Sequence, residues 1–333
     1  MTEIRYDVLG LGNSLVDIIA RVDDDFLIRS QVRKGGMTLI DEPRAESLYG
    51  SMGPATIISG GSAANTIVGV ASFGLAAAYI GKVKADTLGR AFIHDIRAMG
   101  VGFDTMPAAD GPATGRCYIL VTPDGERSMS TYLGASQNLA PADVEEALVR
   151  QSAIVYLEGY MWDPPAAKEA FVKASKIAHA AGRRVALTLS DPFCVDRYRA
   201  EFLSLMRSRT VDIVFANQHE LKSLYQTADL ETALEAVRSD AALGIVTRSA
   251  EGCLVVTREE TCAVAAFPVE HVADTTGAGD LFAAGFLAGL ARGADAATCA
   301  RLGALAAAEV IQHLGARPQV GLAHLAADNG LAL

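Results

Sequence analysis

From about residue 150 onward, short β-forming runs alternate with helical ones, and this alternation leaves the chain few folds to choose from. Residues 153–157, 184–189, 211–215 and 243–247 read as strands, with helical segments between several of them. A strand can reach a parallel neighbour only through a long crossover, so strand, helix, strand is the repeating unit of a parallel sheet. The expected fold is α/β, with a mainly parallel central sheet covered by helices on both faces. Asp163-Pro164-Pro165 reads as a capped helix start. Residues 253–257 and 262–267 flank a polar turn and predict an antiparallel hairpin.

Two segments interrupt the alternation, 18–59 and 103–133, the second with Thr122-Pro123-Asp124-Gly125 as a hairpin turn. By themselves they are surface loops and edge strands. The length of 333 residues allows two domains, or one large α/β domain with an appendage. No internal repeat or low-complexity linker is present, apart from an alanine-rich bias after residue 281.

Charge and cysteine usage exclude several classes of function. With 29 basic and 39 acidic residues the net charge is −10, which gives no electrostatic reason to bind nucleic acid or an anionic membrane. The five cysteines, Cys117, Cys194, Cys253, Cys262 and Cys299, are odd in number and lack a Cys-x-x-Cys pair, as expected of free thiols in a reducing compartment. The six histidines are scattered and include no His-Glu-x-x-His, which argues against a zinc site. The longest apolar stretch, 281–291, is too short to span a bilayer and reads as a buried helix. The N-terminus leads directly into a strand without a long apolar region, so the expected location is cytoplasmic, without a signal peptide.

Ahead of that buried helix stands Asp274-Thr275-Thr276-Gly277-Ala278-Gly279-Asp280. Two glycines beside a helix start leave backbone N–H groups uncovered, and such groups bind anions such as phosphate. A carboxylate there would be repelled by phosphate unless it had a separate task, so Asp280 reads as a base aimed at an incoming hydroxyl. The same residues also fit a plain helix cap closed by Thr275 or Thr276. Far upstream, Gly60-Gly61-Ser62-Ala63-Ala64-Asn65 opens a second helix that runs to Gly74. Its glycines admit a ligand close to the backbone and Asn65 offers both a donor and an acceptor; a turn with a cap is the other reading.

Together with Gly10-Leu11-Gly12-Asn13-Ser14-Leu15-Val16-Asp17, these segments resemble the ribokinase-like, or phosphofructokinase-B, family of sugar and nucleoside kinases. The Gly-Asn-x-x-x-Asp form, and the residues 18–27 that follow it, look most like the adenosine kinase branch. The resemblance covers nearly the whole chain in order. It implies a three-layer αβα domain, residues 1–17, 60–102 and 134–333, and a small β-rich lid, residues 18–59 and 103–133, that closes over the substrate. Closure would exclude water, which a kinase needs in order not to hydrolyse ATP.

The activity implied is transfer of the γ-phosphoryl of ATP to the 5′-hydroxyl of adenosine, giving AMP and ADP. Asp280 would take the hydroxyl proton, and the amides of Thr276, Gly277, Ala278 and Gly279 would stabilise the transferring group. Asp17 would accept from two neighbouring ribose hydroxyls, with Asn13, Gly60, Gly61, Ser62 and Asn65 completing the grip. Leu15 and the lid residues Leu39, Cys117 and Tyr132 would form an apolar slot for a purine. Arg116 is a candidate for reaching the phosphates from the lid, or is a solvated strand arginine.

The chain has no Gly-x-x-x-x-Gly-Lys-Ser/Thr, so backbone amides and a metal must neutralise the phosphates. Asn217-Gln218-His219-Glu220 alone is a helix cap with a glutamate near the helix dipole; in the resembled family such a motif organises water and Mg²⁺. Mg²⁺ keeps several waters, so only indirect contacts from Asn217 and Glu220 are expected. The resemblance also places Thr247, Arg248 and Gly252, with the 307–315 helix, beside the ATP adenine and ribose, and leaves the loop around Asp274 and Thr276 as the place for a potassium ion. Members of the resembled family differ in oligomeric state, and a monomer or homodimer is expected here. The rivals are a kinase for another nucleoside or for a sugar such as ribose or fructose, and a nucleoside sensor without chemistry. A nicotinamide-dependent oxidoreductase is disfavoured because Leu15 stands where Gly-x-Gly-x-x-Gly needs glycine.

Overall fold

Along the strand Ser152–Glu158, successive side chains enter two different cores: Ile154 and Tyr156 pack in one, Val155 and Leu157 in the other. A strand buried on both faces must lie between two layers, and apolar runs of this kind build the middle of a three-layer domain. In the computed structural model, which describes residues 3–331 and 333, nine strands form this central sheet. Their order is Thr261–Val264, Cys253–Val256, Leu243–Thr247, Ile213–Asn217, Arg184–Thr188, Ser152–Glu158, Tyr6–Leu11, Ala77–Ile80 and Val101–Gly102. All are parallel from Leu243–Thr247 to Val101–Gly102, and the first two continue the sheet as the expected antiparallel hairpin.

On one face lie helices Ser62–Ser72, Ala278–Ala291 and Ala296–Val310, in contact with Val8, Tyr156, Phe215 and Ile245. Phe215 makes edge contacts with Tyr156 and Phe286 at ring distances of 5.9 and 5.6 Å. Helices Pro165–Ala180, Pro192–Arg207, Gln218–Tyr225 and Leu230–Asp240 cover the other face over Leu9, Val185 and Val214. Each fully buried aliphatic or aromatic side chain here contributes about 1.5–3 kcal/mol relative to exposure. Among the described residues no helix is long and apolar enough to cross a membrane.

The interrupting segments form a second sheet of five strands, ordered Met37–Leu39, Arg127–Tyr132, Gly115–Val121, Leu15–Arg21 and Thr56–Gly60. The turn at Thr122–Gly125 joins two of them: Gly125 N–H donates to the Thr122 carbonyl at 2.9 Å, with Gly125 at φ 81°. Two short helices, Asp24–Arg29 and Glu42–Ser51, also lie within 18–59; their Leu27, Ala45 and Leu48 join the core with Ile18, Ala20, Tyr118 and Leu120 of the sheet. Aspartates Asp23 and Asp41 cap both helices, a signal present in the sequence but not read as such. Because Leu15, Asp17 and Gly60 already pair within this second sheet, boundaries at 17/18 and 59/60 cut through its strands. Residues 1, 2 and 332, assigned to the large domain, lie outside the described residues.

Helix Pro165–Ala180 starts where the prolines predict, but Asp163 does not cap it. The Asp163 carboxylate instead accepts from the Tyr198 hydroxyl at 2.6 Å and pairs with Arg197 at 2.9 Å.

Candidate active site

Helix Ala278–Ala291 begins at Gly277, with φ 79°, and helix Ser62–Ser72 at Gly61, with φ 103°. Both angles lie where only glycine is comfortable, and neither residue can be enlarged. A Cβ on Gly277 would stand 2.6 Å from that of Ala316, and one on Gly61 would strike the Asn13 carbonyl. Neither helix has a side-chain cap, so the cap reading by Thr275 or Thr276 does not hold. Among the described residues the N–H groups of Gly279 and Asp280 make no hydrogen bond, and nothing lies within 4 Å of where a Gly279 Cβ would be. These uncovered donors at the positive end of a helix are suited to an anion.

The two helix starts meet at Asp280. Ser62 Oγ donates to Asp280 Oδ1 at 2.6 Å and Asn65 Nδ2 to Oδ2 at 3.0 Å. Close packing of Gly69 against Leu281 and Ala284 brings the helices together. Burial pushes the Asp280 carboxyl up to about 6, opposed by those two hydrogen bonds and by Arg317. A half-buried carboxylate of that basicity, beside the open amides of Gly279 and of Asp280 itself, can take a proton from a hydroxyl at neutral pH.

Asp17 lies directly above Gly60, where a Cβ would collide with its carboxylate. Burial raises it to about 7; Arg317 and Arg127 oppose the shift and Asp280 adds to it. Among the described residues the Asp17 carboxylate makes no hydrogen bond, and the buried Asn65 Oδ1 also lacks a partner. Buried polar groups are rarely left so, and unsatisfied acceptors beside a proton acceptor suit a ligand that brings hydroxyls.

Asn13 stands differently. Its Nδ2 donates to Glu158 Oε1 at 2.6 Å and its Oδ1 accepts from Ser136 at 2.8 Å, so most of the amide is taken up inside the protein. Glu158 also accepts from Asn13 N and Ala63 N, and burial raises its carboxyl to about 7. Gly12 leaves the room Glu158 needs. Glu158 ends a buried apolar strand, and that charge after an apolar run was the signal for it.

Strand register sorts the side chains of the second sheet. Asp17 pairs with Cys117, Cys117 with Thr131 and Thr131 with Leu39, so Leu39 and Cys117 share the face of Asp17, as does Leu15 two residues before it. Tyr132 and Arg116 lie on the opposite face, one residue out of step. The Tyr132 hydroxyl donates to Glu42 at 2.9 Å, and Arg116 pairs with Glu46 and lies 5.5 Å from the Tyr132 ring. The expectation that Tyr132 lines a purine slot and Arg116 reaches phosphate is therefore corrected.

Arg127, paired with Val121 on the Asp17 face, is the arginine that reaches the loop. It donates from Nη1 to Thr276 Oγ1 at 3.1 Å and pairs through Nη2 with Asp274 at 2.5 Å. Asp274 also accepts from Thr276 N and Gly315 N, each at 2.9 Å. These contacts occupy the Asp274 carboxylate and the Thr276 hydroxyl of the loop expected to hold potassium. Arg317, missed in the sequence, is half-buried and faces the charges of Asp17, Asp95 and Asp280.

Asn217 and Glu220 form a capping box. Asn217 Oδ1 accepts from His219 N and Glu220 N at 2.8 and 2.9 Å, while Glu220 accepts from Asn217 N and Nδ2 at 2.9 and 2.5 Å. Burial, then Asp191, raises Glu220 to about 7, so it is a carboxylate short of positive charge. Tyr160 feels Asp191, Glu220 and Asp280 together, which puts the box and the base in one neighbourhood. Among the described residues no cluster of three or more His, Cys, Asp or Glu could hold a metal directly. A hydrated magnesium ion carried by a nucleotide needs no such cluster, and the uncompensated Glu220 fits it. Thr247 follows Asn217 in register at the next strand end, but Arg248 turns back onto Glu251 at 3.0 Å, and Gly252, at φ 83°, closes that turn. Arg248 is not aimed at phosphate.

Gly12, Glu158, Asn217 and Thr247 all sit at carboxyl ends of parallel strands, and the order reverses between Tyr6–Leu11 and Ser152–Glu158, where ligands bind in open α/β sheets. Gly10-Leu11-Gly12 leads into the strand Leu15–Arg21 and not into a helix, so no dinucleotide fingerprint is present there.

Comparison with known proteins agrees with this geometry. The profile described as pfkB family carbohydrate kinase matches residues 53–320. The crystal structure of adenosine kinase from Sinorhizobium meliloti is 56% identical, with a TM-score of 0.92 over 98% of this chain and 99% of that one. A probable sugar kinase from Rhizobium etli is 53% identical, with a TM-score of 0.93 over 98% and 99%. Adenosine kinase 2 of Arabidopsis thaliana is 28% identical over 93% of this chain and 96% of its own length. The chain belongs to the pfkB family of carbohydrate kinases.

Proposed function

We propose that the protein is a kinase that transfers the γ-phosphoryl group of ATP to the 5′-hydroxyl of adenosine, releasing AMP and ADP. One observation carries this reading: the half-buried base Asp280 is held by Ser62 and Asn65 beside the open amides of Gly279 and Asp280, with the unpartnered Asp17 carboxylate on the acceptor side. The likeness to adenosine kinases favours this acceptor.

Asp17 and the free Oδ1 of Asn65 accept hydrogen bonds from the sugar hydroxyls and orient the acceptor. The purine lies against the apolar part of the Asp17 face, which includes Ile19, Cys117 and Ile119. Asp280 takes the 5′ proton as the hydroxyl oxygen forms its bond to the γ-phosphorus and the bond to the ADP oxygen breaks. The open N–H groups of Gly279 and Asp280 hold the charge that spreads over the transferring group, while those expected to help from Thr276 and Ala278 are taken by Asp274 and the Thr275 carbonyl. Arg127, placed by the second sheet on Thr276, adds positive charge at that loop. Magnesium brought with ATP would offset phosphate charge, with Asn217 and Glu220 meeting it through water. The second sheet acts as the lid over the acceptor, divided from the large domain near 15–17 and 60. The five free cysteines suit work in the cytoplasm.

ADP release with Mg-ATP, measured against adenosine, inosine, guanosine, cytidine, ribose and fructose, tests the reading. Adenosine leading by a wide margin supports it. A leading sugar keeps the mechanism and overturns the acceptor, while nucleoside binding without turnover points to a sensor.

A further inference from the structure

Three consecutive residues near the C-terminus tie the parts of the site together. Gly315 donates its N–H to Asp274, Ala316 packs against Gly277, and Arg317 crosses to the second sheet and the acceptor-side helix. Arg317 Nε and Nη2 donate to the Ser59 carbonyl at 3.3 and 3.1 Å, Nη2 also to Ser59 Oγ at 3.0 Å, and Nη1 to the Ala64 carbonyl at 3.0 Å. Ser59 directly precedes Gly60-Gly61, the link between the second sheet and helix Ser62–Ser72. Its own N–H is held by Asp95 at 2.7 Å, from helix Thr87–Ala98.

A guanidinium is a planar fork of fixed donors, and this one spans carbonyls on both sides of the glycine link. A lysine would supply the charge at a single point. The charged and titratable groups that face Arg317 are Asp17 from the second sheet, Asp95 from helix Thr87–Ala98, Asp280 from helix Ala278–Ala291 and Tyr79 from the central sheet. Two of these are the carboxylates that the proposed reaction needs ionised, and burial works against both.

We propose that Arg317 is a positioning residue for phosphoryl transfer: it fixes the carbonyls on either side of the Gly60-Gly61 link against the anion-binding loop, and its charge lets the Asp17 and Asp280 carboxylates share one site. The inference rests on the kinase reading above. Two substitutions separate its halves. Arg317→Gln keeps a donor and loses the charge, whereas Arg317→Lys keeps the charge and loses the fork.

Carbon-13 NMR of the aspartate carboxyls, with Asp17 and Asp280 assigned through Asp17→Asn and Asp280→Asn, reads the charge without any turnover. In Arg317→Gln both carboxyls should titrate higher by about one pH unit or more, and Arg317→Lys should restore most of the difference. The acid limb of kcat/KM should move with them, and kcat in Arg317→Lys should fall about 10-fold while its acid limb stays in place. A merely structural arginine would lower the melting temperature and leave titrations and acid limb at their wild-type positions; that result, or failure of both variants to fold, overturns the assignment. Wild-type enzyme silent toward every nucleoside would refute the kinase reading, and the NMR titration would still decide the role of Arg317.

Discussion

The helices that begin at Gly277 and Asn217 border the same neighbourhood and finish their backbone donors in opposite ways. At Asn217 the side chain covers two N–H groups and Glu220 returns a hydrogen bond, so the end is satisfied from within. At Gly277 there is no side chain to cover anything, and the N–H groups of Gly279 and Asp280 stay open. An Asx cap contributes about 0.5–2 kcal/mol, so an end without one forgoes stability that a ligand can supply later. One start holds the fold, and the other is left open for chemistry.

The sharpest way to break this comparison is Asp280→Asn. The amide keeps the size and an acceptor for one of the Ser62 and Asn65 donors but cannot accept the 5′ proton. We expect kcat to fall by about 10²–10⁴, with adenosine Kd changed less than about threefold. Wild-type turnover in a folded variant would remove Asp280 as the base.

Next come two substitutions that should separate the helix starts. Gly277→Ala forces a side chain to φ 79° and into Ala316, so the loop must shift, and kcat should drop about 10–100-fold with a stability cost of about 1–3 kcal/mol. Asn217→Ala should cost about 1–2 kcal/mol in stability, with a smaller effect on kcat. Urea melts and initial rates on both proteins check the pair. If Asn217→Ala proved the more damaging to kcat, the division between a structural and a chemical start would be wrong.

The parallel sheet, the terminal hairpin and both glycine-capped helices were legible because they rest on local signals: apolar runs, paired glycines, a carboxylate after them. What stayed hidden depends on register. Arg116 and Arg127 both look like strand arginines, and only the pairing of Val121 with Arg127 and Arg116 with Tyr132 shows which of them shares the face of Asp17. A one-residue difference in parity sends Tyr132 to Glu42 and away from the site. Arg317 was hidden for another reason: its partners Ser59 and Ala64 are more than 250 positions earlier, and no local pattern marks an arginine that binds carbonyls.

The carboxylates give a smaller effect that sharpens the comparison from the side of stability. Asp17, Glu158 and Glu220 are each raised by burial from 3.8 or 4.5 to about 7. The folded chain therefore binds more protons than the unfolded chain between about pH 4 and pH 7, and stability from this source is complete below the unfolded values and lost as pH rises through 7. The ligand-free melting temperature should fall between pH 5.5 and pH 8. Glu220→Gln should flatten the slope, because the neutral amide can no longer lose a proton. An unchanged slope in that variant would mean that Glu220 is already ionised and compensated in the free protein.

The smallest expected effect concerns the wrong face of the second sheet. Tyr132 donates to Glu42 of helix Glu42–Ser51 and lies beside Arg116, so Tyr132→Phe loses one partly exposed hydrogen bond, about 0.5–1.5 kcal/mol, and nothing on the Asp17 face. The KM for adenosine should stay within about twofold of wild type while the melting temperature drops slightly. Cys117→Ser supplies the contrast: it changes an apolar group in register with Asp17, and a purine packed there should raise KM in this variant and not in Tyr132→Phe. Equal KM values in both variants would place the purine elsewhere on the lid, whereas a rise confined to Tyr132→Phe would mean that the second sheet presents its other face to the acceptor.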